Sequence, residues 1–180
     1  SQNSGLTVDV NAGGGNDTIN APYNQDSWYS RNDFINQGFG ANGALRISAG
    51  DGNDTLNLGF QSGSISYGFF SGTFSLGADA DRVNVNAWIP GAGQVATITD
   101  FATGAGGDVV NLTGVWNALT GWDGSSNPFG AGFARLIQSG ADVLLQVDAN
   151  GPTGGEGYQT VVNFQGHLLA DFVTVNFDPP

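Results

Sequence analysis

NAGGGNDTIN (11–20), SAGDGNDTLN (48–57), SLGADADRVN (75–84) and ATGAGGDVVN (102–111) align without a gap. Each copy has Gly at its third position and closes on Asp, any residue, an aliphatic residue and Asn. The columns are Asp17, Asp54, Asp81 and Asp108, then Ile19, Leu56, Val83 and Val110, then Asn20, Asn57, Asn84 and Asn111. Three matched columns in four copies mark one structural unit used repeatedly. The last three aspartates are 27 residues apart and the first interval is 37, so one coil carries an extra loop at about 21–44. Regular spacing of this length signals stacked coils, each burying its apolar face on its neighbours.

Around the turns the apolar residues alternate. Leu6, Val8 and Val10 precede the first copy, Leu45 and Ile47 the second, Phe74 the third, and Ile98 with Phe101 the fourth. Leu56 and Leu58, Val83 and Val85, Val110 and Leu112 follow three of the copies. Strand, Gly-Asp turn, strand is the local reading. No capped 3.6-residue period occurs before residue 113, and the aromatic-rich stretch 21–44, with Tyr23, Trp28, Tyr29, Phe34 and Phe39, is the ambiguous exception. Beyond 113 the pattern changes. VWNALTGW reads as a short helix or turn, GFARLIQSGADVLLQVDANG as two strands about a Gly-Ala-Asp turn, and QTVVNFQGHLLADFVTVNF closes a β cap over the end of the stack.

Composition narrows the function. Gly is 30 of 180 residues, and fifteen Asp and one Glu stand against four Arg and no Lys, for a net charge of −12. Such a surface repels nucleic acid and anionic membranes and favours a cation. Asp beside Gly suits tight turns and calcium loops, where helix surfaces would favour Glu. No cysteine is present, which excludes disulfides and Cys zinc sites and is compatible with export as an unfolded chain. Neither an 18-residue apolar run nor a secretory leader is visible, and the absent initial Met suggests a piece of something longer.

AGGGNDTIN and AGDGNDTLN resemble the nonapeptide G-G-x-G-x-D-x-aliphatic-x of the RTX (repeats-in-toxin) family, with LGADADRVN and TGAGGDVVN as degenerate copies. Asp79 stands where the fourth-position Gly is usual. ITDFATGAGGDVVNLTGV, FARLIQSGADVLLQVDANG and VVNFQGHLLADF are similar to the C-terminal region of many type I secreted proteins. The resemblance implies an all-β fold, a right-handed parallel β-roll or β-helix of stacked coils with Gly-Asp turns. Residues 1–112 would form the roll and 113–180 a continuous capping, type I secretion-like region. It implies several Ca²⁺ ions shared between coils. Asp17, Asp54, Asp81 and Asp108 would be the carboxylate ligands, with Asp51, Asp79 and Asp100 as local supplements. Carbonyls of Gly13, Gly15, Gly50, Gly52, Gly77, Gly104 and Gly106 would complete the sites. Without metal the stacked carboxylates repel, so the chain is expected to fold on meeting calcium outside the cell. The Asn column would form either an amide ladder along one edge or a set of turn caps.

Weaker signals are Asp148, Asn150 and Glu156 in VDANGPTGGEG, a loose calcium-loop pattern that also reads as a hairpin turn. His167 is the only histidine, and no G-x-S-x-G elbow accompanies it, so no hydrolase triad is expected. The leading expectation is a non-enzymatic structural module of a secreted or cell-surface protein, such as a surface layer, adhesin or matrix protein of a Gram-negative bacterium. Its partners would be calcium, the type I secretion machinery and, through an open coil end, further copies of itself. Rival readings are an accessory domain of a secreted hydrolase whose catalytic part lies upstream, and a glycan- or ice-binding module using the aromatic insert or a flat face carrying regular Thr and Asn.

Overall fold

Apolar and polar residues alternate on both sides of each Gly-Asp turn, and this period of two is what a strand with one buried face requires. In the computed structural model, which describes residues 7–21, 44–62, 65–67, 71–155 and 157–178, each repeat is one coil of two such strands. Coil 1 consists of β1 (Thr7–Asn11) and β2 (Thr18–Ala21), and coil 2 of β3 (Ala44–Asp51) and β4 (Thr55–Leu58). A small antiparallel hairpin follows, β5 (Phe60–Ser62) and β6 (Ile65–Tyr67), which the alternation around the repeats does not announce. Coil 3 is β7 (Gly72–Ala78) and β8 (Arg82–Val85), and coil 4 is β9 (Ala96–Ile98) and β10 (Val109–Asn111).

β1, β3, β7 and β9 lie parallel and adjacent in one sheet, and β2, β4, β8 and β10 in a second. The chain is therefore a parallel β-roll. The repeat columns are in register, with Ile19 beside Leu56, Leu56 beside Val83, and Val83 beside Val110. Inward residues of both sheets make one apolar core: Leu45, Ile47, Phe74 and Ile98 from the first, Leu56, Leu58, Val83, Val85 and Val110 from the second. Ile19, in the first coil, is only partly buried. Segments 22–43, 59–71 and 86–95 return the chain from the second sheet to the first. Most of the aromatic insert lies outside the described residues.

Coil 4 departs from the others. Ile47 pairs with Phe74, and Phe74 with Ile98, yet seven residues separate Ile47 from Asp54 and Phe74 from Asp81 while ten separate Ile98 from Asp108. The fourth turn is longer by three residues and the return segment before it is correspondingly shorter. The constant 27-residue interval between aspartates conceals both changes.

Beyond coil 4 come α1 (Thr113–Trp116), the antiparallel pair β11 (Ala134–Ser139) and β12 (Asp142–Val147) turning at Gly140 and Ala141, and β13 (Gln159–Phe164). β13 runs antiparallel to β12 and parallel to β9, so it stacks on coil 4 in the first sheet. On the second sheet Phe177 bridges Val110, and Asp178 N–H donates to the Val110 carbonyl at 3.0 Å. Between these contacts Phe101, Phe164, Phe172 and Phe177 interlock, with ring centroids 4.8 Å apart for Phe164 and Phe172. Single 3₁₀ turns at Leu169–Asp171 and Thr174–Asn176 carry the tail across. No helix among the described residues is long and apolar enough to cross a membrane.

Candidate metal-binding turns

The turns repeat at the level of single dihedrals. Gly13 and Gly15, Gly50 and Gly52, Gly77 and Asp79, Gly104 and Gly106 all have positive φ, between 79° and 123°. Asp79, at 79°, is the one non-Gly residue with positive φ among the described residues. It occupies the slot the other three turns fill with Gly. Stacking adds a second constraint. A Cβ on Gly50 would lie 1.6 Å from the Gly13 carbonyl oxygen, and one on Gly77 1.7 Å from that of Gly50. Only a residue without a side chain lets successive turns approach this closely.

Down the stack runs a row of carboxylates. Asp54 Oδ1 accepts the Asp17 N–H at 2.7 Å, Asp81 Oδ1 the Asp54 N–H at 2.7 Å, and Asp108 Oδ1 the Asp81 N–H at 2.8 Å. Each coil thus holds the N–H of the coil before it. The second oxygens differ. Oδ2 of Asp17, Asp54 and Asp81 is buried without any hydrogen-bond partner, whereas Asp108 Oδ2 accepts the Ala102 N–H at 2.7 Å. Asp54, Asp81 and Asp108 are 3%, 3% and 1% exposed, so the unpaired oxygens of Asp54 and Asp81 are removed from water. Among the described residues the ion pairs are Arg46 with Asp9 and Arg82 with Asp178, and none reaches the row.

Electrostatics follow from this crowding. Burial raises the Asp81 pKa from 3.8 to about 6; the N–H of Asp54 opposes the rise, and the charges of Asp108, Asp54 and Asp100 add to it. Burial likewise raises Asp108, against the hydrogen bonds from Ala102 and Asp81. At Asp81 and Asp108 the row is therefore a setting in which the charged form of the carboxyl is disfavoured.

The remaining sequence-derived candidates are distributed unevenly. Asp51 and Asp79 are exposed on the turns. Asp100 is already engaged: Oδ1 accepts the Leu76 N–H at 2.8 Å, and Oδ2 accepts the Ser75 hydroxyl and the Gly77 N–H at 2.6 and 3.1 Å. Because β7 extends past the end of β9, this side chain satisfies N–H groups that have no neighbouring strand. The Gly13 carbonyl accepts the Asp51 N–H at 3.1 Å. The stacked turns bring Gly13, Gly15, Gly50, Gly52 and Gly77 to one edge, with Gly104 and Gly106 in the longer fourth turn. Asp148 and Asn150 form a local turn in which Asp148 Oδ1 accepts the Asn150 N–H at 3.3 Å. Glu156 lies outside the described residues. No three acidic or His side chains cluster among the described residues, so a cation here would draw on turn carbonyls together with single carboxylates.

The Asn column does both things its pattern allows. Asn57 Nδ2 donates to Asn20 Oδ1 at 3.0 Å and Asn84 Nδ2 to Asn57 Oδ1 at 2.8 Å, while Asn111 Oδ1 instead accepts the Thr113 N–H and hydroxyl. Two features escaped the sequence reading. Asn16 and Asn53 form a further ladder of opposite direction, accepting the N–H groups of Asn53 and Ala80, each at 3.0 Å. Their shared place just before each Asp was the available signal. Asn176, fully buried, inserts its amide into the fourth turn, and nothing in its local sequence marks it.

The fold has a solved counterpart. The AlgE6R3 subunit of the Azotobacter vinelandii mannuronan C5-epimerase matches with a TM-score of 0.50, covering 99% of this chain and 82% of its own, at 17% identity. The AlgE6R2 subunit of the same epimerase matches with a TM-score of 0.44 over 100% of this chain and 98% of its own, at 16% identity. At these identities the likeness is one of fold. No family model and no curated protein matches the chain.

Proposed function

We propose that this chain is a calcium-binding, non-catalytic β-roll module of a secreted or cell-surface protein, in which ions at the Gly-Asp turns complete the contacts between coils. The observation that carries the proposal is the row of buried, unpartnered oxygens, Oδ2 of Asp17, Asp54 and Asp81. A buried acceptor left without a partner costs about 1–3 kcal/mol, and more when charged. Calcium takes six to eight oxygens in flexible geometry and accepts carboxylates mixed with carbonyls. The oxygens of Asp17, Asp54 and Asp81 would hold it, with carbonyls from the turns of Gly13, Gly15, Gly50, Gly52 and Gly77, and its charge would offset the repulsion along the row. Extracellular calcium modules bind at roughly 10⁻⁴–10⁻³ M, so such sites fill outside a cell and stay empty inside it. Export through a type I channel followed by folding on the far side fits that difference.

A second reading is favoured by the solved counterpart, named as a subunit of a mannuronan epimerase: the module would serve as an accessory part of an extracellular enzyme. The two readings share the calcium sites and differ in whether the module acts beside a catalytic part. Isothermal titration calorimetry of metal-stripped protein with CaCl₂, with MgCl₂ as control and far-UV circular dichroism in parallel, tests the shared part. Saturable calcium binding that deepens the β signal and weakens in Asp54→Asn is expected. No calcium heat and an unchanged spectrum would remove the reading.

A further inference from the structure

The four turns carry the same Asp, yet only three of the four carboxylates have an unpartnered oxygen. We infer that Asp108 is a hydrogen-bonding anchor rather than a cation ligand, and that the fourth turn and Asn176 form a metal-independent end-stop on which the metal-dependent coils are built. The inference rests on the calcium reading for coils 1 to 3 and departs from it at the fourth turn, which the repeat pattern would count as one more site.

Both oxygens of Asp108 are engaged by protein donors, the N–H groups of Asp81 and Ala102, and the residue is 1% exposed. Its own N–H returns to the Ala102 carbonyl at 2.7 Å, which closes Ala102 and Asp108 into a ring. That ring exists because the turn is longer by three residues, so that Ala102 doubles back where the other turns run on. The Gly104 carbonyl, equivalent to those of Gly13, Gly50 and Gly77, accepts two hydrogen bonds, from Gly107 N–H at 3.2 Å and Asn176 Nδ2 at 3.3 Å. Two donors use both lone pairs of a carbonyl oxygen.

Asn176 supplies the rest. Its Oδ1 accepts the N–H groups of Gly104 and Val173, each at 3.1 Å, and its Nδ2 also donates to the Asp108 carbonyl at 3.0 Å. In the other coils the carbonyl of the turn Asp receives the backbone N–H of the next coil: Thr55 to Asp17, Arg82 to Asp54, Val109 to Asp81. At Asp108 no further coil follows, and the Asn176 amide takes that place. The position demands a side chain that donates and accepts at once. A carboxylate there would face the carbonyls of Gly104 and Asp108 with nothing to donate.

A stack whose last turn is saturated by its own side chains presents the Asp108 carboxylate at a fixed height before any ion arrives, and Asp81 N–H can dock on it. Hydrogen–deuterium exchange of the full chain, metal-stripped and then with CaCl₂, tests this together with ion counts by calorimetry. Peptides spanning 96–112 and 159–178 should be protected in both states, while those spanning 44–58 and 72–85 gain protection with calcium. Asp54→Asn should lower the number of bound ions and Asp108→Asn should leave it unchanged, even where the latter lowers stability. Asn176→Asp should speed exchange across 102–112 by about tenfold or more in metal-stripped buffer. Free exchange at 96–112 without metal, or loss of an ion in Asp108→Asn, would overturn the inference. Should the wild type bind no calcium, the calcium reading fails, and the end-stop is then judged by Asn176→Asp alone: unchanged exchange at 102–112 overturns it, and faster exchange upholds it.

Discussion

Asp81→Asn removes one charge from the interior of the carboxylate row while keeping an oxygen to accept the Asp54 N–H, now bonded at 2.7 Å. Burial first, and then the neighbouring charges of Asp108, Asp54 and Asp100, lift the Asp81 pKa from 3.8 to about 6. Between those values the native chain holds a proton at this site that the unfolded chain has released. Stability of the metal-free protein from this site is therefore fully present below about pH 4 and is lost as pH rises through about 6. A rise of roughly two units corresponds to about 3 kcal/mol. Asp79 and Ala80 beside it are exposed, and water there screens the charge, which brings the penalty at pH 7 to about half of that. The amide nitrogen replacing Oδ2 finds no acceptor and takes back part of the gain, leaving about 1 kcal/mol in favour of the variant. Urea unfolding followed by circular dichroism in metal-stripped buffer should give Asp81→Asn the higher midpoint at pH 7, and the wild type a midpoint that rises on acidification to pH 4.5. Saturating CaCl₂ at pH 7 should invert the order, because only the carboxylate repays an ion. A metal-free wild type as stable at pH 7 as at pH 4.5, or no gain from the substitution, would refute the account of the row as an uncompensated set of charges.

Gly77→Ala places a methyl group 1.7 Å from the Gly50 carbonyl and should cost more than about 4 kcal/mol, read as a collapse of the thermal midpoint. Gly91→Ala, with a similar φ of 81° but open space around it, should cost only about 1–2 kcal/mol and serves as the control. Asp79→Gly relieves the left-handed conformation at φ 79° and should raise stability by about 0.5–1 kcal/mol in urea titrations. Asn57→Ala breaks the amide ladder on both sides, toward Asn20 and Asn84, and should lower the urea midpoint by about 1–2 kcal/mol of stability.

Much of this architecture was legible in the four aligned segments, since matched Gly, Asp, aliphatic and Asn columns fix turn, row, core and ladder together. The distinct fourth turn was not. A longer turn and a shorter return segment cancel in the interval from Asp81 to Asp108, so counting from Asp to Asp sees no change, and only the pairing of Phe74 with Ile98 reveals it. Asn176 was hidden for a different reason: its partners Gly104 and Asp108 are about seventy residues away, and no local periodicity signals so distant a hydrogen bond. The β5–β6 hairpin lies in a return segment where no repeat column constrains the chain, although aromatics at Phe60 and Tyr67 around Ser-Gly-Ser were a hairpin signal. The acidic candidates Asp51, Asp79 and Asp100 matched a composition argument, but backbone geometry gives Asp100 a hydrogen-bonding task of its own.

The segments 22–43, 59–71 and 86–95 between the coils differ widely in length, yet the first three Gly-Asp turns keep one length and stay in register. Over the first three coils, length thus varies between the second sheet and the next coil's first strand and is constant across the Gly-Asp turns. Foreign peptides spliced between successive coils would be anchored on strands spaced about 4.8 Å per coil. A roll built this way is a ruler for display, and its pitch is set by the backbone rather than by whatever it is asked to carry.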